Sequence, residues 1–173
     1  MDLEKLKYPI GKFDHFKSVS FTNVPEGIQI IESFPVKLSE LVNKLTPEQL
    51  QTPYRPDGWT ALQVVHHLAD SHSNALIRFK LALTEENPVI KPYHENLWAE
   101  LADGKTTPVE VSLQWISALH KRWAILLRSM TESDFERTYF HPESKRTYPL
   151  KQVVSLYVWH CNHHYGHIES VLK

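Results

Sequence analysis

At 173 residues, with 42% hydrophobic and 23% charged side chains, the chain is about one domain long and can bury a core without staples. Lys and Arg total 19 against 20 Asp and Glu, a net charge of −1 that excludes a basic nucleic-acid surface and a charged tail. One cysteine, Cys161, excludes a disulfide scaffold, and no apolar run is long enough to span a bilayer. The opening MDLEKLKYPIGKFD lacks the apolar region of a signal peptide, so a soluble cytoplasmic protein is expected.

Residues 1–22 show no periodicity and read as an arm laid over the domain. Asn23 with Glu26 predicts a capping box opening a helix from Val24 to Leu45, on the spacing of Ile28, Ile31, Leu38, Leu41 and Leu45, kinked at Pro35. Thr46-Pro47-Glu48-Gln49 repeats the start signal for a short turn ending near Gln51, and TPYRPDG at 52–58 is loop. Thr60 with Gln63 caps a second long helix, Ala61 to Leu83. EENPVIKPY at 85–93 is loop, with one short helix expected around Glu95–Leu101. Thr107 with Glu110 predicts another capping box and a helix to about Met130.

TYFHPESKRTYP at 138–149 reads as a small β-hairpin, and the last helix runs from Leu150 to the end, with no C-cap signal before Lys173. Thr46…Gln49 leading into Leu62-Gln63-Val64-Val65 parallels Thr131…Asp134 leading into Lys151-Gln152-Val153-Val154, which implies equivalent parts for the second and fourth long helices. The expected fold is all-α: one domain over 1–173, a four-helix bundle with long connections and a small β-hairpin before the last helix. Facing helices of such a bundle commonly build metal sites.

Eleven histidines are the compositional oddity. In YVWHCNHHYGHIESVLK, at about 100° per residue, His160, His163, His164 and His167 share a sector roughly 100° wide with the core positions Val153, Leu156, Tyr157 and Val171. Burying four imidazoles without a common partner is expensive, and a metal ion is such a partner. His160 and His164 lie closest to the core direction and, four apart, stack so that two rings can reach one ion. No glutamate follows His160, so a protease-type base is absent there. A catalytic site needs a third ligand. Periodicity on the second long helix nominates His72, which shares the apolar direction of Val65, Leu68, Leu76, Phe79 and Leu83. His67 shares a face with Gln63, Ser71, Asn74 and Arg78, either solvated or lining a polar cavity.

The segments KYPIG (7–11), TPYRPDGWTALQVVHHLADSH (52–72), RFKLALTEENPVIKPY (78–93) and LYVWHCNHHYGHI (156–168) resemble the DinB-like superfamily, most closely its YfiT-like group of metal-dependent hydrolases. That resemblance places one ligand in His67-Leu68-Ala69-Asp70 and two in the His-x-x-x-His of His160 and His164, so it selects His67 over His72. It also implies a homodimer.

Three functions follow. In the first, a divalent ion on His67, His160 and His164, zinc first and nickel next, activates a bound water for hydrolysis. In the second, the same ion stabilises the thiolate of a low-molecular-weight thiol such as bacillithiol for transfer to electrophiles, with Asn74 and Arg78 holding an anionic cosubstrate. In the third, His163 or His167 closes the site as a fourth ligand and the metal is structural. Asp70 and Glu169 are candidates for orienting the ligand imidazoles, and Cys161 reads as a buried filler. A small-molecule substrate is expected, with neither nucleic acid nor membrane as partner.

Overall fold

The computed structural model describes residues 2–172. A one-turn helix, α1 (Leu3–Lys7), is capped by Asp2, inside the arm that showed no periodicity. The arm then follows the last helix: Gln152 Nε2 donates to the His15 carbonyl (2.7 Å) and Trp159 Nε1 to that of Gly11 (3.1 Å). It lies so close that a Cβ on Gly166 would stand 3.0 Å from Pro9 Cγ.

A 3₁₀ turn, Phe21–Asn23, feeds α2 (Val24–Val42). The expected Asn23–Glu26 box does not form. Asn23 already has helical angles (φ −85°, ψ −15°), and Ser20 caps one turn earlier by accepting from the Thr22 N–H. Helix α2 ends at Val42, with a turn rather than helix over 43–45.

Both α3 (Pro47–Leu50) and α4 (Ala61–Thr84) begin with the expected capping boxes, Thr46 with Gln49 and Thr60 with Gln63. Thr60 Oγ1 accepts from the Gln63 N–H at 3.1 Å, and Gln63 Oε1 accepts from the Thr60 N–H at 3.0 Å. Thr60→Ala removes the first bond and is expected to cost about 1 kcal/mol, read as a lower urea midpoint at unchanged slope. An unmoved midpoint would show that the bond from Gln63 Nε2 to the Ala99 carbonyl (2.8 Å) secures this helix end unaided.

The expected short helix is α5 (Glu95–Trp98), and a further one, α6 (Ala102–Thr106), follows it. The box expected at Thr107 is absent from α7 (Val109–Ser129): Thr107 is the extended cap that ends α6, and Pro108, with no side-chain acceptor, precedes α7. The Thr131–Asp134 box opens α8 (Glu132–Glu136). Strands β1 (Thr138–His141) and β2 (Arg146–Pro149) pair antiparallel, Tyr139 opposite Tyr148. Helix α9 spans Leu150–Ser170, and the part of its expected run that falls on Lys173 lies outside the described residues.

The four long helices form the expected bundle, α2 packing on α7 and α9, and α4 on the same two. Consecutive helices α2 and α4 therefore stand diagonally, as do α7 and α9. Short loops would put consecutive helices side by side, so the long connections 43–60 and 130–149 permit these diagonal steps. Gly27 lets α2 and α9 cross closely, since a Cβ there would meet Val154 Cγ1 at 2.7 Å.

The apolar core comes in two clusters, one around Phe79, Trp123 and Val153, the other around Leu38, Leu68 and Ile116. Between them runs a polar layer. Helix α4 passes from Leu68 to Leu76 through His72, α7 from Ile116 to Trp123 through His120, and α9 from Tyr157 to Cys161 through His160. Among the described residues no helix is long and apolar enough to cross a membrane.

Candidate metal centre

Helices α4 and α9 are neighbours, and their contact brings His67 against His160 and His164. One nitrogen from each of the three imidazoles lies within 4.8 Å of the others. His67 Nε2 and His160 Nε2 are 3.3 Å apart. Two nitrogens bound to one tetrahedral ion at ordinary bond lengths stand about 3.3 Å apart, so the spacing fits a shared ion. His67 and His164 are buried and His160 is half-buried.

Burial sets the charge of these rings. It pushes His67 down to about 4, with His163 and His167 adding repulsion between imidazoles. His160 and His164 are held well below the ordinary histidine value by burial first and by neighbouring imidazoles second. All three are therefore neutral at pH 7, the form in which an imidazole offers a lone pair to a metal.

The other histidines occupy distinct surroundings. His163 stacks on Trp159 (4.3 Å between centroids), and its Nδ1 is buried with no hydrogen-bond partner. His167 stacks on Tyr54 (3.9 Å) and its Nε2 donates to the Lys7 carbonyl (3.1 Å). Together with His164 these two form a second group of close nitrogens, which shares His164 with the trio but includes neither His67 nor His160. His72, the residue favoured by periodicity, faces the bundle interior: its Nδ1 meets His120 Nε2 at 2.7 Å and its Nε2 meets His160 Nδ1 at 3.0 Å. It touches a ring of the trio from behind. His66 points elsewhere, to Ser112 Oγ (2.7 Å) and the Thr107 carbonyl (3.1 Å).

Sequence reading overlooked His120, although it lies in the buried stripe Ile116, His120, Trp123 and Leu127 of α7. The two candidate orienters, Asp70 and Glu169, do not take that part, and the trio's rings are met by other imidazoles instead. Burial, with Asp103 of α6 adding repulsion, pushes the Asp70 carboxyl up to about 6. Glu169 is exposed. Neither carboxylate bonds a ring of the trio among the described contacts.

The trio opens on a cavity of about 470 Å³ whose lining includes Tyr8, Tyr54, Arg55, Trp59 and Lys7. Asn74 and Arg78 do not line it. Asn74 donates to the Asp70 carbonyl of its own helix (2.9 Å), and Arg78 lies against Tyr139 and Tyr157. The cations of the cavity are Lys7 and Arg55, and Arg55 Nε is buried without a partner. Cys161 is fully buried in the apolar cluster around Leu38, Leu68 and Ile116, and burial pushes its thiol far above the ordinary value.

The whole chain is similar to known proteins. YfiT of Bacillus subtilis (strain 168), named as a candidate metal-dependent hydrolase, is 49% identical over 168 residues, covering 97% of this chain and 94% of that one. A protein of Bacillus mycoides (strain KBAB4), named in the same way, is 49% identical over 169 residues, covering 98% and 96%. The solved structure of YfiT, described as having an unusual four-helix bundle topology, superposes with a TM-score of 0.93 at 48% identity, covering 96% of this chain and 95% of that one. With the family profile matching residues 31–168 in addition, the chain belongs to the DinB superfamily.

Proposed function

We propose that the protein is a metal-dependent hydrolase whose divalent ion, zinc first and nickel next, is held by His67, His160 and His164. The observation that carries this reading is the meeting of three neutral imidazoles, from two helices, at the floor of a cavity. When bound, the ion supplies Lewis acidity that lowers the pKa of a water or thiol brought to it. His163 and His167 group with His164 rather than with the whole trio, which supports an open coordination position over a closed structural site. Trp59, 4.8 Å from His67, and Tyr8 set aromatic rings into the cavity wall beside the trio. The relatives' names point the same way.

A second reading is supported by Lys7 and Arg55. Two cations beside the trio, one with an unpartnered buried Nε, suit an anionic cosubstrate such as a low-molecular-weight thiol carrying carboxylates. In that case the protein joins a bacillithiol-like thiol to electrophiles. The homodimer implied by the family is part of the same proposal, and light scattering reads it directly.

Elemental analysis of untagged protein, followed by an activity screen with and without small thiols, tests both readings. One metal equivalent per chain and turnover with water alone are expected. Strict thiol dependence would replace the first reading with the second, and metal without turnover under either condition would leave only a structural ion. Cys161→Ala is expected to retain most activity in every case, because its buried protonated thiol is no nucleophile. Loss of turnover with metal content unchanged would put the thiol into the chemistry.

A further inference from the structure

The polar layer between the two apolar clusters is a single line of hydrogen bonds with one link on each long helix. It starts at the Ile31 carbonyl of α2. In an unbroken helix that oxygen accepts from the N–H four residues on, but that residue is Pro35, which has none. The freed carbonyl is taken by His120 Nδ1 of α7 at 2.6 Å. His120 Nε2 meets His72 Nδ1 of α4 at 2.7 Å, and His72 Nε2 meets His160 Nδ1 of α9 at 3.0 Å.

The line has one possible direction. A carbonyl only accepts, so His120 Nδ1 carries the proton. His120 and His72 are fully enclosed, and their hydrogen-bond partners are a carbonyl and other imidazoles with no carboxylate among them. Each is therefore taken as a neutral ring with one donor and one acceptor. His120 Nε2 therefore accepts from His72 Nδ1–H, and His72 Nε2 accepts from His160 Nδ1–H. His160 is left with its lone pair on Nε2, the nitrogen that stands 3.3 Å from His67 Nε2. The same logic reaches His164 by a shorter path. His167 Nε2–H donates to the Lys7 carbonyl, its Nδ1 meets His164 Nδ1 at 3.3 Å, and the His164 lone pair falls on Nε2.

We infer that Pro35, His120 and His72 are positioning residues that lock His160 into its Nδ1–H tautomer, so that Nε2 faces the ion site as a preformed ligand. The inference rests on the trio proposed above as the metal site. Pro35 is then a device that leaves a backbone acceptor open in the middle of a buried helix, and the kink expected from it in the sequence is incidental. Metal ligands commonly donate their second nitrogen to a carboxylate or carbonyl. Here two intervening imidazoles carry that anchoring across the full width of the bundle.

The test reads tautomers and affinity, not turnover. Long-range ¹H–¹⁵N spectra of metal-free protein near neutral pH, with the His160 signal identified by its loss in His160→Gln, are expected to show His160 protonated at Nδ1 and bare at Nε2. His72→Phe, which keeps volume but removes both bonds, is expected to shift His160 toward the Nε2–H form and to lower zinc affinity about 10–100-fold. His72→Gln, whose amide offers an acceptor to His160 and a donor to His120, should restore most of that loss. Pro35→Ala returns a competing N–H to the Ile31 carbonyl and should give a smaller loss in a variant that favours the helix.

A wild-type His160 found in the Nε2–H form overturns the inference, as does a His72→Phe protein with unchanged tautomer and affinity. Should His72→Phe fail to fold, the wild-type spectrum and Pro35→Ala decide. Wild-type protein that holds no metal would sink the proposed function, while the tautomer spectrum would still judge this inference.

Discussion

His160→Ala is expected to strip the protein of its ion, lowering affinity by more than the ~10–100-fold that loss of an outer hydrogen-bond partner costs, with activity falling in step. Three effects coincide at this side chain. It supplies one of three clustered nitrogens, it stands 3.3 Å from His67 Nε2, and it ends the buried line through His72. The helical content should survive, because α9 remains anchored by Val153, Val154 and Ile168 in the apolar clusters. Some stability will be lost, since His72 Nε2 is left without its donor, at about 1–3 kcal/mol. Metal content by elemental analysis and far-ultraviolet circular dichroism separate the two consequences. Full metal occupancy in folded His160→Ala would remove it from the ligand set. Retained metal in His67→Ala together with loss in His72→Ala would move the third ligand to the residue that periodicity favoured.

Acidification of the metal-free protein should destabilise it steeply above the pH at which ordinary, exposed carboxylates titrate. His67 and His120 are both buried and held at about 4, against about 6.5 in an unfolded chain. The unfolded state therefore binds these protons first. The stability they support is complete above about pH 6.5 and falls as pH drops from there toward 4, by on the order of 3 kcal/mol for each of the two. His72, His160 and His164 are shifted in the same direction. The combined loss is comparable to the whole stability of an ordinary domain, about 5–15 kcal/mol. Melting temperatures measured from pH 7.5 to 4.5 with chelator should fall steeply, and excess zinc should hold them up, because an ion competes with protons for the same lone pairs. A flat melting profile across that range would mean that the histidines are protonated or solvated in the folded protein.

The helices themselves were legible in the chain because their signals are local. The boxes at Thr46, Thr60 and Thr131 place a hydroxyl three residues before a Gln or Asp, and each forms in the structure. The box expected at Thr107 does not form, because an unforeseen short helix ends on that residue. The stripe of α9 was legible for the same reason: a 3.6-residue repeat shows which side of one helix is buried, and His163, His164 and His167 are indeed buried there.

What the repeat cannot show is which neighbour each buried side meets. Helix α4 touches α7 on one side and α9 on another, so it has two interior faces. His72 points between the two faces, bonded to His120 of α7 and His160 of α9, whereas His67 lies on the face toward α9 alone, against His160 and His164. Averaging apolar positions yields one direction and hides that difference, which is why periodicity chose His72. The diagonal pairing of helices was equally hidden, since it depends on how two long connections cross the bundle ends. The bond from His120 to the carbonyl freed by Pro35 joins residues far apart in the chain. Local sequence determined which segments are helical and which α9 face is buried, because capping and amphipathicity act within a few residues. Only the tertiary structure decided which histidines share a site and which hold them in place, because hydrogen bonds between helices depend on packing that no single helix contains.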